Sequence, residues 1–244
     1  MAVTHGKSSV LLLDGYDLTG MAQQADVMLS IDMHDATVFG SSAHVKAPGL
    51  RNGTITSELF FDDTVTTGSW DVLTAKYGST TPATILFAPQ GLTLGNRSLQ
   101  IYALQALFSS KQVVSDLSKV TFNGEAEEDA VDWGVTLHAL SAETVFPFSG
   151  TSVDNLAATA NGGVGQVHVT AIAGTTKNAV YKIQHSTDNA TWVDLVTFSA
   201  ITTANSVLRT EVAAGTTIRR YLRITITDGG ITTSVTGVVA FARR

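Results

Sequence analysis

Apolar and polar residues alternate along most of this chain, and the alternation predicts strands. Val27, Leu29, Ile31 and Met33 are separated by Met28, Ser30, Asp32 and His34, the period of two that marks a half-buried strand. Ile55, Ser57, Leu59 and Phe61 repeat the pattern on a return strand, against Thr54, Thr56, Glu58 and Phe60. Between them, from about Asp35 to Asn52, the pattern lapses. That predicts a connection longer than the ~12–15 residues beyond which a structureless loop is usually functional or disordered. Earlier, Ser9–Leu13 reads as a short strand closed by an Asp14-Gly15 turn. Later, over Thr64–Tyr77, the period changes. Val65, Trp70, Leu73 and Tyr77 fall on one helical face, with Thr67 or Ser69 to cap the start and Gly78 to end it.

The rest of the chain reads as strands. Ala83–Phe87 is followed by a turn at Pro89-Gln90-Gly91, and a long strand runs from Arg97 to Ser109. In that strand Leu99, Ile101, Ala103 and Leu107 face one way and Tyr102, Leu104 and Phe108 the other, as in a strand covered on both sides or at an interface. Lys119–Gly124 and Val131–Leu140 read as two strands joined by an acidic connection. Ser149–Gly165 is small and polar and contains Gly162-Gly163, which predicts a linker or domain entry. Six evenly spaced strands follow, Val167–Ile172, Ala179–Ser186, Trp192–Phe198, Ser206–Val212, Ile218–Thr227 and Ser234–Phe241. Leu222, Ile224 and Ile226 are expected to face a core, and Arg219, Tyr221 and Arg223 to face outward. The chain is thus expected to be mainly β. Residues 1–148 form a sandwich or barrel with one flanking helix. Residues 149–165 enter a C-terminal antiparallel sandwich, jelly-roll or Ig-like, over residues 166–244.

Composition narrows the picture. Of 244 residues, 44% are hydrophobic and 15% charged, enough for a core and poor in the charge that disorder needs. There is no cysteine, so no disulfide and no thiolate chemistry. The Val10–Leu13 run is too short for an export signal or a membrane span, so a soluble chain made in the cytoplasm, without membrane insertion, is expected. The net charge of −6 is uneven: residues 1–145 carry 7 Lys/Arg and 16 Asp/Glu, and residues 146–244 carry 8 and 5. An acidic first part repels nucleic acid.

Motifs for chemistry are weak. Gly6-Lys7-Ser8 ends like a phosphate-binding loop, but no strand precedes it and the first glycine of that motif would fall at Met1. Asp62-Asp63 near Glu58 is best read as a polar strand end, and the run Glu125, Glu127, Glu128, Asp129 and Asp132 as a solvated turn. The six histidines show no metal-ligand spacing, and no nucleophile elbow is present. No catalytic, cofactor-binding or metal-ligating residue is predicted. In the C-terminal part Trp192, Tyr181, Tyr221 and Arg223 make a possible glycan contact, set against plain core packing for the tryptophan.

Four short motifs carry a resemblance: His5-Gly6-Lys7-Ser8, Thr37-Val38-Phe39-Gly40, Pro48-Gly49-Leu50-Arg51-Asn52-Gly53 and Phe60-Phe61-Asp62. Together they resemble the major tail proteins, or tail tube subunits, of long-tailed double-stranded-DNA phages. Val38 and Asn52 depart mildly from the family pattern. The resemblance implies a virion structural protein, assembled in the host cytoplasm, that is not an enzyme and needs no cofactor. It implies self-assembly into stacked, hexameric rings whose channel passes genomic DNA without binding it specifically. Other tail proteins would be partners: tape measure, terminator and distal tail. It also implies that the long loop, through Phe39, Val45, Pro48 and Leu50, touches the adjoining ring. The C-terminal part resembles the decorating domains of virion proteins, with host-surface glycans as a further partner. A capsid decoration protein or another tail component is the alternative within virions, and a carbohydrate-binding adhesion protein the alternative outside that class.

Overall fold

A computed structural model describes residues 6–244, the side chains of 128–130 apart. His5 of the first motif, and the side chains of Glu128 and Asp129 in the acidic run, lie outside the described residues. The protein is mainly β, with two antiparallel sheets and a single α-helix among the described residues. In chain order the elements begin with β1 (Val10–Leu13), β2 (Tyr16–Asp17), β3 (Ala22–Asp35) and β4 (Lys46–Phe60). Then come α1 (Ser69–Thr74), β5 (Ala83–Ala88), β6 (Arg97–Lys111), β7 (Lys119–Glu143), β8 (Phe148–Ser149) and β9 (Val153–Asp154). The last six are β10 (Gly163–Thr176), β11 (Ala179–Ser186), β12 (Val193–Thr197), β13 (Ser206–Val212), β14 (Tyr221–Asp228) and β15 (Ile231–Arg243). These match the six C-terminal strands expected from the pattern.

Contacts divide the chain into two units, neither continuous in sequence. The first comprises Met1–Gly20, Thr84–Ile101 and Asp132–Arg244; the second comprises Met21–Ala83 and Tyr102–Val131. This differs from the boundary expected at 149–165. That stretch is built into the first unit. Gly163, Val164 and Gly165 are buried in β10, paired with both β13 and β15. A Cβ on Gly163 would lie 2.5 Å from the Ala242 carbonyl oxygen, so this glycine permits close strand approach and does not loosen a linker.

In the first unit, β10 lies between β13 and β15, and β15 also pairs with β7. β1 pairs with β5 and β2. The second sheet has β11 between β12 and β14, with β8 and β9 on the far edge of β14. The two sheets enclose one core. Val167, Val169, Val239 and Phe241 come from the first sheet, and Tyr181, Ile183, Leu222, Ile224 and Ile226 from the second. The opposite face of β15 is buried too, with Val238 and Ala240 packed on Leu12, Leu86 and Ala88. The sheet therefore curls over on that side. The tip of the β1–β2 hairpin reaches β10 and β13: the Gly15 N–H donates to His168 Nδ1 at 3.3 Å, and a Gly15 Cβ would meet Ser206 N at 2.5 Å. A sandwich and a barrel-like closure thus share β15.

In the second unit, β3 and β4 form a long hairpin, with irregularities between Ala22 and Gln24 and between Ile31 and Met33. Only residues 54–60 of β4 also pair with β7. Ile55, Leu59, Val120 and Phe122 are buried, as are Val72 and Leu73 of α1. Trp70 meets Phe61 and Phe108 at ring-centroid distances of 5.4 and 5.2 Å. The helix is shorter than expected. It starts after Gly68, where a side chain would strike the Asp62 carbonyl oxygen, and Thr66 takes a left-handed φ of 70°. Val65 and Tyr77, placed on the helical face by their spacing, are exposed. Ser69 anchors the helix start, accepting from Asp62 N and donating to the Phe60 carbonyl.

The acidic run does not form the expected turn. Backbone pairing carries β7 through it as one strand from Lys119 to Glu143. Charged residues fit a strand where one face is solvated, and Glu125 and Glu127 are exposed.

Candidate functional site

The feature that sets this molecule apart from a closed β domain is the outer part of the β3–β4 hairpin. Beyond the segment paired with β7, residues 46–53 of β4 bond only to β3. A proline in a doubly paired strand would cost a ladder bond; Pro48 sits on this otherwise unpaired edge, opposite Met33. Gly49 leaves room for the His34 ring, and Gly53 for Val131 Cγ2, each 2.4 Å from where a Cβ would be. Within the segment expected as a loop over Asp35–Asn52, residues 46–52 are therefore strand, and the true tip is residues 36–45. Glycine and proline masked the strand pattern in the sequence.

The tip is ordered by its own polar groups. Ala36 N donates to the Val45 carbonyl at 2.8 Å, Val45 N to Thr37 Oγ1 at 3.0 Å, and Thr37 N to Asp35 Oδ1 at 2.9 Å. Hydrogen bonds from Thr37, and then from Lys46, hold the Asp35 carboxyl below its usual range.

Of the residues expected to make an assembly contact, Phe39, Val45, Pro48 and Leu50 are all exposed, Phe39 at 109% and Leu50 at 79%. They are not alone. Met28, Leu29, Ile31, Met33 and Val38 are exposed on the same arm. Neighbours of opposite parity, such as Met28 and Leu29, show that both faces of β3 carry apolar side chains. The sequence held that signal in the doubly apolar pair, which the simple alternation hid.

The inner part of the hairpin has a polar face. Register places Asp26 beside Thr56 and Asn123, Met28 beside Thr54 and Glu125, and Glu58 beside Thr121. Asn123 Nδ2 donates to Thr56 Oγ1 at 2.8 Å, and Lys119 Nζ to Glu58 Oε1 at 2.9 Å. The acid excess of the chain belongs to this unit: it holds 12 Asp/Glu and 5 Lys/Arg, a balance of −7.

The expected glycan residues do not share one surface. Tyr181 is fully buried in the core between the sheets, because Tyr181 and Ile183 are the inward residues of β11. That part of the expectation is corrected. Trp192, Tyr221 and Arg223 are half-buried. The Arg223 guanidinium lies 4.3 Å from the Trp192 ring centroid and donates to Gln184 Oε1. Gln184 and Lys182 in turn bond Asp194 at 2.7 and 2.6 Å. These polar groups are thus engaged with one another.

No group of three or more His, Asp or Glu suited to a metal occurs among the described residues. No helix there is long and apolar enough to cross a membrane.

No family model and no curated protein matches this chain. Solved structures with some likeness include a chain of the virion of a native gene transfer agent particle, with TM-score 0.43 and 11% identity, over 54% of this chain and 98% of that one. The SPP1 Dit (gp 19.1) protein, a hub adsorption protein of phages infecting Gram-positive hosts, scores 0.38 at 15% identity over 96% and 98% of the two chains. A chain of the phage p2 baseplate in its activated conformation scores 0.30 at 8% identity over 97% and 98%. All three TM-scores lie below 0.5.

Proposed function

We propose that this chain is a phage tail structural protein, a tube subunit that assembles with itself into stacked, hexameric rings. The observation that carries this reading is the arm. Met28, Leu29, Ile31, Met33, Val38, Phe39, Val45 and Leu50 are all exposed within one hairpin. Burying such a side chain fully is worth about 1.5–3 kcal/mol, so eight together can offset the roughly 4–15 kcal/mol lost on association. A monomer that left them in water would invite uncontrolled aggregation, and the free edges of a long hairpin add to that hazard. A second copy covers both. Phe39, Val45, Pro48 and Leu50 make the contact between rings, and the flanking Met28–Met33 segment extends it.

The acidic unit supports the second half of the reading. Asp26, Glu58 and Glu125 line a channel through which DNA passes without sticking, since like charges repel. The tape measure, terminator and distal tail proteins are the further partners, and the virion is the place of action. The test is electron microscopy of the purified protein beside the Phe39→Asp/Leu50→Asp variant. Stacked rings from the former and none from the latter support the proposal; identical particles from both refute the role of the arm.

A further inference from the structure

A cavity of about 410 Å³ opens in the first unit, lined among others by Arg97, Trp133, Asp154, Asn155, Thr159 and Arg243. It lies wholly within that unit. Its size falls within the range of about 300–1,000 Å³ usual for small-molecule sites. Trp133, on β7, is 43% exposed, so part of its indole offers an apolar face beside a polar edge.

The charge of the lining is unbalanced. Asp154 is engaged by Arg220 through two hydrogen bonds of 2.7 and 2.6 Å. Arg243 is half-buried and, among the described residues, donates to the carbonyls of Ala157, Arg219 and Arg220. Its Nε is buried without a hydrogen-bond partner among the described residues, and desolvation lowers its affinity for the proton. Neither Arg97 nor Arg243 forms an ion pair with a carboxylate among the described residues. A partly desolvated guanidinium held only by carbonyl dipoles favours an incoming anion.

An exposed indole, two cations without counter-ions, and short polar groups from Asn155 and Thr159 together define a ligand. We propose that this cavity binds an anionic saccharide, a pyranose bearing a carboxylate or a phosphate. The sugar ring lies on the Trp133 indole, the anion turns toward Arg97 and Arg243, and hydroxyls meet Asn155 and Thr159. The site does not depend on the assembly reading, and it is not the Trp192 surface, where the polar groups already satisfy one another.

The test is titration of the full chain, followed by tryptophan fluorescence, with trigalacturonate, mannose 6-phosphate, maltotriose and AMP. Saturable change is expected with at least one of the two anionic sugars, at a Kd of about 1 mM or tighter. Which of them binds more tightly identifies carboxylate or phosphate as the anion. Maltotriose is expected to bind about tenfold more weakly, as is the anionic sugar to Arg97→Gln, an exposed position that leaves the fold intact. Trp133→Phe is expected to remove the fluorescence change while Trp70 and Trp192 still report. No saturable change with either anionic sugar overturns the proposal, and so does equal affinity for maltotriose or for Arg97→Gln. Tighter binding of AMP would make this a nucleotide site and overturn it as well.

Discussion

Two buried polar side chains show how local chemistry sets the stability of the first unit. His168 is fully buried; it accepts a hydrogen bond from Gly15 N, and desolvation pushes its pKa down to about 3. The unfolded chain protonates it near the ordinary value of 6.5. The folded state binds no proton between those values while the unfolded state does, so this contribution is fully present above pH 6.5 and is lost as pH falls toward 3. At about pH 5 the loss from this one residue is about 2 kcal/mol. His168→Gln is expected to flatten the fall in urea midpoint between about pH 7.5 and pH 5 relative to wild type; an unchanged slope would contradict the neutral buried histidine. Tyr181 is the second case. Its hydroxyl is buried without a hydrogen-bond partner among the described residues, and a Cβ on Gly237 would lie 2.8 Å from it. Tyr181→Phe removes an unmet desolvation penalty, so it is expected to be neutral or stabilising, by up to ~1–3 kcal/mol, in urea unfolding. A loss of stability would mean that the hydroxyl has a partner. Arg97→Gln and Trp133→Phe act at the same scale, on the cavity.

At the scale of elements, alternation read the strands well. Val10–Leu13, Ala83–Ala88 and the six C-terminal strands lie close to where the pattern places them. It failed where residue type worked against pairing. Pro48, Gly49 and Gly53 hid half of β4, because a strand with one unpaired edge tolerates residues that a central strand does not. The run of acidic residues hid the middle of β7, because a strand with exposed charges such as Glu125 and Glu127 looks like a turn by composition. Of the residues proposed for assembly, the four named from the resemblance are exposed, whereas Met28, Leu29, Ile31 and Met33 become legible only when the edge position of β3 is known. The arm is also where an element can be altered without harm to the core. Replacing residues 36–45 with an Asn-Gly turn removes no buried side chain. Such a variant is expected to keep its stability within about 0.5 kcal/mol and to lose self-association. Loss of fold, read by circular dichroism, would show that the tip supports the core.

For the whole molecule, the sequence pointed to two consecutive domains, and the contacts interleave the chain instead. A strand at one end pairs with strands far away, which composition cannot show: Gly163 of β10 faces Arg243, and β15 pairs with β7. A fragment ending at residue 149 lacks β10–β15 and with them nearly all of the core between the two sheets. It is expected to show no cooperative thermal unfolding of the first unit, whereas a C-terminal domain folding on its own would leave a stable N-terminal remainder. The assembly proposal belongs to this scale too, since its energy comes from surface that no single copy buries. The most direct measurement is negative-stain electron microscopy of the concentrated wild-type protein at neutral pH, alongside Phe39→Asp/Leu50→Asp. Stacked rings with a central channel, abolished by the two aspartates while the β spectrum is retained, are the expected result. Wild-type protein that stays monomeric, with Met28–Met33 and Phe39 accessible to water at every concentration, would contradict self-assembly through the arm.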